Sequence, residues 1–295
     1  MATALDVSAA APSESPLAEL AARYELKPVG TRPSLRKYVG ALWERRHFIT
    51  TLAIARVVAR NHEDRLGVLW NVIRPLLLAL IYGTVFGLLL SSDTRPSNWT
   101  AFIVIGVIVF TFSSDCLNKS AKTIMRNLHI IRALHFPKAL LPVAQVLEET
   151  IATLPAFAVL VIIVLATGED PALRWLLIFP AIVIQMVFNL GLAFFASRVT
   201  SSIRDFAQLL PFVTRLLFYM SGIFYDVNRF DTHKTLFHVI EYNPFHVFIA
   251  LYRQALLGGS YADGLMWAVG IAWTVGLTSL AFIYFWRAEE RYGRE

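Results

Sequence analysis

Long apolar segments recur through most of the chain, and they limit the possible folds more than any other feature of the sequence. A transmembrane helix needs about 20 mostly apolar residues. Segments of about that length lie at 71–90, 99–117, 147–166, 176–197, 206–224 and 266–286. Hydrophobic residues make up 56% of the chain and charged residues only 16%, against about 25% charged in an ordinary soluble domain, so a soluble globule could not bury this surface. We therefore predict an all-α polytopic membrane protein, with six transmembrane helices in residues 66–295.

The rest of the composition excludes several other classes of protein. The single cysteine, Cys116, excludes a disulfide scaffold and a cysteine metal cluster, and the histidines show no metal-ligand spacing. No glycine is followed by lysine, so the chain has no P-loop for ATP. The net charge of +6 is spread over the segments between the apolar runs and forms no single basic face, which argues against nucleic-acid binding. We expect no catalytic site, metal site or cofactor on this chain.

The charges between the predicted spans orient them in the membrane. Segment 118–138 carries lysines and arginines but no acidic residue, and the 198–205 loop is also basic. The connections on the other side are neutral or slightly acidic. By the positive-inside rule, both termini are expected in the cytoplasm of a bacterial plasma membrane. Residues 1–33 are rich in Ala, Pro and Ser, lack a signal-peptide pattern, and are expected to form a flexible cytoplasmic tail.

An amphipathic helix is predicted before the first span, within residues 34–65. Its apolar residues follow the spacing of one helical face: Leu35, Tyr38, Val39, Leu42 and Trp43. A basic helix with an aromatic apolar face, too polar to cross, is typical of a helix lying in the membrane surface. The alternative is a soluble helix packed on a small N-terminal domain. The lack of other apolar material before residue 66 argues against that alternative.

The basic 118–138 segment contains a second short helical pattern. Its apolar positions are Ile124, Leu128 and Ile131, and its basic positions are Lys122, Arg126 and Arg132. One interpretation is a positive-inside anchor with no further role. The other is a docking helix for a cytoplasmic partner, because apolar residues exposed on a loop need a surface to cover them.

The long 225–265 segment is expected outside the six spans, yet it is rich in Phe, Leu, Ile and Tyr. Its apolar stretches, Leu236–Ile240 and Phe245–Leu257, are too short to cross a membrane. They predict re-entrant or interfacial helices, which are stable at membrane depth only when protein covers them or when they line a cavity.

Arg215 is the best single candidate for a functional charge, because it lies in the middle of the predicted span 206–224. An arginine there costs about 2.5–3.5 kcal/mol even on the lenient insertion scale, so it is expected to face the bundle interior or a water-filled cavity. It either contacts an anionic group such as phosphate or forms a structural ion pair. The neighbouring acids Glu148 and Glu149 are expected at the membrane edge, as boundary residues or at a substrate entrance.

Aromatic residues cluster near the ends of several predicted spans. They are Tyr82, Phe86, Phe110, Phe112, Phe218, Tyr219, Phe224 and Tyr225. Such rings are either packing and lipid contacts or, in a conduit for sugars, flat apolar faces against which sugar rings can slide. The sequence does not decide between these two roles.

Four short motifs, in order along the chain, together carry a resemblance. They are Arg56–Arg60 with Leu66–Trp70 and Arg74–Leu76, then Phe136–Pro142, Phe218–Ile223, and Tyr242–Phe245 with Tyr252, Arg253 and Leu257–Gly259. This order on a six-span frame resembles type-2 ABC exporter permeases that move polysaccharides, such as the O-antigen, teichoic-acid and actinobacterial galactan exporters. The similarity runs from about residue 35 to the C-terminus. Arg74 and Gly222 depart from the family pattern, which usually has a neutral polar residue and a proline there.

The resemblance implies a half-transporter that forms a homodimer and binds two copies of a separate ATPase, which would hold ATP and Mg. The 34–65 helix would then be the interface helix, and Arg126, Asn127, Leu128, Ile131 and Arg132 would couple to the ATPase. Segment 225–265 would form gate helices. The path would be lined by Arg215 and the aromatic residues, with Arg60, Glu148 and Glu149 at its entrance. The implied substrate is a polysaccharide on a polyprenyl diphosphate, exported as ATP is hydrolysed.

Three other functions remain as alternatives at this stage. A small-molecule or lipid exporter of the same family would lack a wide aromatic channel. A secondary transporter would need ionisable pairs at the membrane midplane and usually internal repeats, and only Arg215 qualifies. An intramembrane enzyme would need a cluster of carboxylates, for which Glu148 and Glu149 are the sole candidates.

Overall fold

The computed structural model describes residues 33–63, 67, 69–89, 96–134, 136–225, 234–259 and 261–292. The regular elements in this part of the chain are all helices, which confirms the all-α prediction. In chain order they are α1 (Leu35–Glu44), α2 (Arg46–Glu63), α3 (Leu69–Leu89), α4 (Trp99–Ala121), α5 (Thr123–Arg126), α6 (Leu128–Ala133), α7 (Leu140–Ala166), α8 (Ile178–Ser202), α9 (Phe206–Met220), α10 (Lys234–Glu241), α11 (Pro244–Leu257) and α12 (Gly264–Arg287), with a 3-10 turn at Leu173–Leu177. The predicted tail lies outside the described residues apart from Pro33.

Helices α3, α4, α7, α8 and α12 are long and apolar enough to cross a membrane. The predicted span 206–224 instead contains the 15-residue helix α9. At 1.5 Å per residue, 15 residues extend about 22 Å, which is less than the roughly 30 Å of a hydrocarbon core. The helix stops before Gly222, whose positive φ of 66° lies in the left-handed region that glycine tolerates best. A crossing at this point would therefore also need the turn at 221–225.

The first and last described segments meet at one end of the helical bundle. The indole nitrogen of Trp286 donates to the carbonyl of Pro33 at 3.1 Å, and the hydroxyl of Tyr38 donates to Glu289 at 2.7 Å. The backbone nitrogen of Lys138 donates to the same carboxylate at 2.9 Å. We call this the N/C end. We call the opposite end, where Trp175 donates to the carbonyl of Leu256 at 3.1 Å, the Trp175 end.

Helix α4 is the centre of the bundle and α3 lies at its edge. Inside the chain, 78% of the apolar window of α4 is buried, against 11% for α3. Helices α8 and α12 pack so closely that a Cβ on Gly191 would lie 2.9 Å from the backbone nitrogen of Thr278. The hydroxyl of Thr278 donates to the carbonyl of Val187 at 2.7 Å. Small residues permit such close approach of membrane helices.

Helices α10 and α11 lie within segment 225–265, for which re-entrant or interfacial helices were predicted. The ring of Phe245, at the start of α11, lies 5.2 Å from Phe110 in α4 and 6.1 Å from Phe188 in α8, between ring centroids. Phe110 and Phe188 lie near the middle of their helices, whereas Leu256, near the other end of α11, lies at the Trp175 end. Helix α11 is almost entirely buried by the rest of the chain. A short helix that does not cross the membrane needs such protein cover at membrane depth.

Candidate functional site

A cavity of about 740 Å³ lies between α2, α3, α4 and α7, towards the N/C end. Its charged lining residues are Arg60, Arg74, Asp115, Lys119 and Glu149. The remaining wall is mostly apolar or aromatic. A cavity of this size with a few convergent charged groups has the dimensions of a ligand-binding cleft.

The charged wall of this cavity is an ion-pair cluster centred on Glu149. One carboxylate oxygen of Glu149 lies 3.1 Å from Arg60, and the other lies 2.5 Å from Lys119. Lys119 also contacts Asp115 at 3.2 Å, and Arg60 contacts Glu148 at 3.5 Å. The cluster therefore joins α2, α4 and α7 through charge-assisted hydrogen bonds, which are about twice as strong as neutral ones.

Glu148 and Glu149 lie inside α7, and their position at the membrane edge stays a prediction. Helix α7 begins at Leu140, seven residues before the predicted span 147–166. Glu149 therefore lies about 13 Å along the helix from its start. Both side chains are buried, with only 2% of Glu149 exposed, and burial of carboxylates at this depth requires the cationic partners described above. The structure does bring Arg60, Glu148 and Glu149 together, as the predicted entrance group requires.

Most of the predicted path aromatics form one connected cluster between α3, α4 and α9. Phe86 stacks on Phe224 with ring centroids 4.3 Å apart, and Tyr82 lies 5.3 Å from Phe218. Phe110 and Tyr219 also contact Phe218, at 5.1 and 5.6 Å. Phe218 and Phe224 are buried, so the cluster is anchored in the bundle and reaches the surface at its edge. Tyr219 is 43% exposed there.

Phe112 does not belong to this aromatic cluster. It is buried, and its ring lies 6.0 Å from Phe157 in α7. Its side chain lines the 740 Å³ cavity instead. Because Phe110 and Phe112 are two residues apart on a helix, they point to different sides of α4. The helical spacing of the two residues in the sequence was therefore enough to predict that they lie in different surroundings.

Arg215 lies on an exposed face of α9, beside the aromatic cluster. Its neighbours on this face include Phe212 and Leu216, which are 72% and 61% exposed. Arg215 is close enough to Tyr82 to interact electrostatically, and it makes no hydrogen bond or ion pair within the part of the chain that the structure describes. A charge in the middle of a membrane helix is stable only against water or protein. None of the described residues covers this face of α9.

A second arginine, Arg253 in α11, is buried in the bundle and was noted in the sequence only as part of a motif. Its guanidinium donates to the carbonyls of Gly222 at 2.9 Å, Ile223 at 3.1 Å and Phe102 at 3.3 Å. It also lies over the ring of Phe102. These contacts fasten the turn after α9 to α4 and α11. The same turn carries Phe224 of the aromatic cluster.

The predicted docking segment is split between buried and exposed residues. Ile131 is buried against the chain itself, so the expectation of exposed apolar residues is wrong there and at Ile124. Asn127 is also buried and accepts a hydrogen bond from Arg56 at 2.9 Å, while Leu128 is half-buried. The three basic positions of the segment, Lys122, Arg126 and Arg132, are all exposed.

The predicted interface helix is two consecutive helices, α1 and α2, in the structure. Tyr38 is fully buried, and Leu42 is half-buried against α7 and its neighbours. Leu35 and Trp43 are exposed, at 38% and 71%. The predicted apolar face therefore divides into one part that holds α1 to the bundle and one part that no described residue covers.

The chain matches a family profile and several curated relatives. The ABC-2 type transporter profile covers residues 49–257, which include most of the motifs described above. An O-antigen export system permease protein RfbA of Klebsiella pneumoniae is 27% identical over 202 residues, covering 68% of this chain and 76% of the relative. RfbA of Myxococcus xanthus is 21% identical over 70% of this chain and 79% of the relative. The polysialic acid transport protein KpsM of Escherichia coli is 23% identical over 74% of this chain and 84% of the relative.

Proposed function

The chain belongs to the ABC-2 type transporter family, and from this premise we propose that it is the membrane subunit of a polysaccharide exporter. The observation that carries the proposal is the exposed Arg215 beside the aromatic cluster. Family membership gives the class of transporter, and this surface gives a path for a sugar polymer.

Two copies of the chain would enclose the path. A second copy placed against α3 and α9 would remove Arg215 from lipid, where a charge is costly, and would leave it facing water or the partner chain. Most soluble and membrane homo-oligomers are closed and symmetric, so a twofold axis beside α9 is the simplest arrangement. The resulting conduit would be lined by Tyr82, Phe86 and Tyr219 from each copy. Their flat faces offer apolar contact to sugar rings without fixed hydrogen-bond partners.

The substrate is proposed to be a polysaccharide linked to a polyprenyl diphosphate, either O-antigen-like or a cell-wall galactan. Its anionic head group would enter through the 740 Å³ cavity, where the exposed Arg74 is available to a phosphate and Arg60 is held by Glu148 and Glu149. Guanidinium groups match phosphate geometry well. The lipid would remain in the bilayer while the glycan moves along the aromatic surface.

Energy for export would come from ATP and Mg on a separate subunit, because this sequence has no P-loop. Two copies of that ATPase would bind at the N/C end, which would lie in the cytoplasm together with both termini. The proposed contacts are Arg126 and Arg132, which are exposed and each adjacent in sequence to a buried residue, Asn127 and Ile131.

The decisive experiment is co-purification of the tagged full-length chain from its native membrane. We expect an ATP-binding subunit at one copy per permease chain, with ATPase activity in the eluate. Arg126→Glu with Arg132→Glu should remove the ATPase while leaving the permease folded, and Lys37→Glu with Arg36→Glu in α1 serves as a control of equal charge change. A permease that purifies without any ATPase would contradict the proposal and favour a secondary transporter.

A further inference from the structure

A second, smaller pocket of about 170 Å³ lies at the N/C end, and three arginines line it. Arg198 comes from the last turns of α8, Arg204 from the turn before α9, and Arg291 from the segment after α12. None of its lining residues is acidic. The pocket is separate from the 740 Å³ cavity, where carboxylates pair with Arg60 and Lys119. Its volume is well above the roughly 10–15 Å³ that a single bound water needs.

Arg198 is held in a fixed position in this pocket. Only 8% of the residue is exposed. One guanidinium nitrogen donates to the hydroxyls of Ser201 and Ser202, one turn further along α8. The guanidinium also lies over the rings of Tyr284 and Tyr292, 5.3 and 5.9 Å from their centroids. Its Nε is buried without a hydrogen-bond partner among the described residues.

No acidic residue lines this pocket beside its three arginines. The buried carboxylate of Glu289 is already bound by Tyr38 and by the backbone of Lys138. Asp205 is exposed and does not line the pocket. A nine-tenths buried guanidinium with an unfilled donor, next to two more arginines, is stable when an anion occupies the space between them.

We propose that this pocket binds a phosphate group, supplied by the headgroup of an anionic membrane lipid. The pocket lies where α8 and α12 end, and basic pockets between the ends of membrane helices are suited to such lipids. The guanidinium fork matches two phosphate oxygens at once. Ile124, Met125 and Leu128 supply an apolar wall on the opposite side, suited to the glycerol and upper acyl chains. The site does not depend on the proposed export function.

A direct test measures lipid binding to the purified full-length chain in a neutral detergent. Phosphatidylglycerol is titrated and its bound fraction is followed by native mass spectrometry, with phosphatidylcholine as the neutral lipid and inorganic phosphate as a competitor. Arg204→Gln and Arg291→Gln change exposed residues and should leave the fold intact. Each should weaken phosphatidylglycerol binding about fivefold, and together about thirtyfold. Arg287→Gln, an exposed arginine at the end of α12 that does not line the pocket, is the matched control.

The outcomes separate the possible ligands. Loss of phosphatidylglycerol binding in the pocket variants but not in Arg287→Gln, with little competition by inorganic phosphate, supports a lipid headgroup. The same loss with full competition by inorganic phosphate supports a phosphate site filled from solution. Equal binding by all variants overturns the proposal. Unchanged lipid binding together with loss of the co-purifying ATPase overturns it in favour of an acidic segment of that subunit.

Discussion

Two arginines in the membrane-embedded part of this protein are placed in opposite ways. Arg253 is 2% exposed, donates to three backbone carbonyls and lies over the ring of Phe102. Arg215 is exposed on α9 and has no hydrogen bond or ion pair within the described ranges. Both lie among mostly apolar residues on short helices, so their local sequences are similar. Their surroundings in the fold are what distinguish them.

Arg253 therefore stabilises the fold, whereas Arg215 is available to whatever contacts the surface of α9. The carbonyls of Gly222 and Ile223 belong to the turn after α9 and that of Phe102 to the first turn of α4, and a guanidinium can donate to all three without any carboxylate. Removing Arg253 would therefore leave these buried acceptors without its donors. Removing Arg215 would leave no described residue without a hydrogen-bond partner, so any effect must come from what approaches the surface.

The largest effect is expected for Arg253→Leu. Leaving the carbonyls of Gly222, Ile223 and Phe102 without a donor should lower the free energy of unfolding by about 3–5 kcal/mol, since each buried unsatisfied group costs about 1–3 kcal/mol. Denaturant titration of the detergent-solubilised chain measures this loss. Arg253→Lys, which keeps the charge but not the fork, should lose less. A stable Arg253→Leu protein would show that the carbonyl contacts do not hold the turn after α9.

A smaller loss of stability is expected for Glu149→Gln. Glu149 contacts both Arg60 and Lys119, whereas Glu148 contacts Arg60 alone among the cations, and at the longer distance. We expect about 2–3 kcal/mol, less than for a fully buried pair, because the two cations are 29% and 30% exposed. The same titration applied to Glu148→Gln is the control and should show a smaller change. Equal losses would mean that the cluster is not centred on Glu149.

A smaller change in stability is expected at the N/C end when pH is varied. Burial raises the pKa of Glu289 above its usual range, although hydrogen bonds from Lys138 and Tyr38 oppose the shift. Because the folded state holds this proton more tightly than the unfolded state, stability falls as pH rises from the usual carboxyl pKa to the raised one, and is constant above it. Thermal unfolding from pH 4 to 8 should show this decline. Glu289→Gln should flatten it, and an unchanged slope would assign the decline to another group.

The smallest effect on stability, within about 0.5 kcal/mol, is expected for Arg215→Leu. Export of the lipid-linked glycan by the permease–ATPase complex in reconstituted vesicles should nevertheless be lost, and Arg215→Lys should retain part of it. A Leu216→Ala variant on the same exposed face controls for general disturbance of α9. Full export by Arg215→Leu would remove this residue from the path, and a large loss of stability would make it structural like Arg253.

The helices and their general roles could be predicted from the sequence because the signal is local. Apolar runs of about 20 residues, the amphipathic spacing around Tyr38, and the short apolar stretches of 225–265 all reflect structure within one element. The ends of α7 and α9 could not be placed as well. Glu148 and Glu149 interrupt the apolar run at the start of α7, and the break after α9 depends on a left-handed Gly222.

The partners of the charged residues could not be predicted in the same way. Lys119 and Glu149 are 30 residues apart in sequence, and Arg253 and Phe102 are 151 apart, so their contacts depend on how the helices pack. The i,i+4 spacing of Asp115 and Lys119 was the one local sign of the ion-pair cluster. For Arg198, the sequence showed only that it belongs to a basic loop and did not indicate a buried position in a pocket. The family resemblance was confirmed because ordered short motifs do not require these distances to be known.

The hydrogen bond between Tyr38 and Glu289 also sets an order of events during synthesis. Its two residues are separated by 251 positions, so the ribosome needs roughly 10–50 s to make the second after the first, at about 5–20 residues per second. Throughout that interval the buried position of Tyr38 does not exist, and α1 has no finished bundle to join. The N-terminal helix is thus the first part of the chain to be made and among the last to reach its place. A nascent chain halted before α12 would leave Tyr38 open to proteases, and that exposure would report an unfinished subunit.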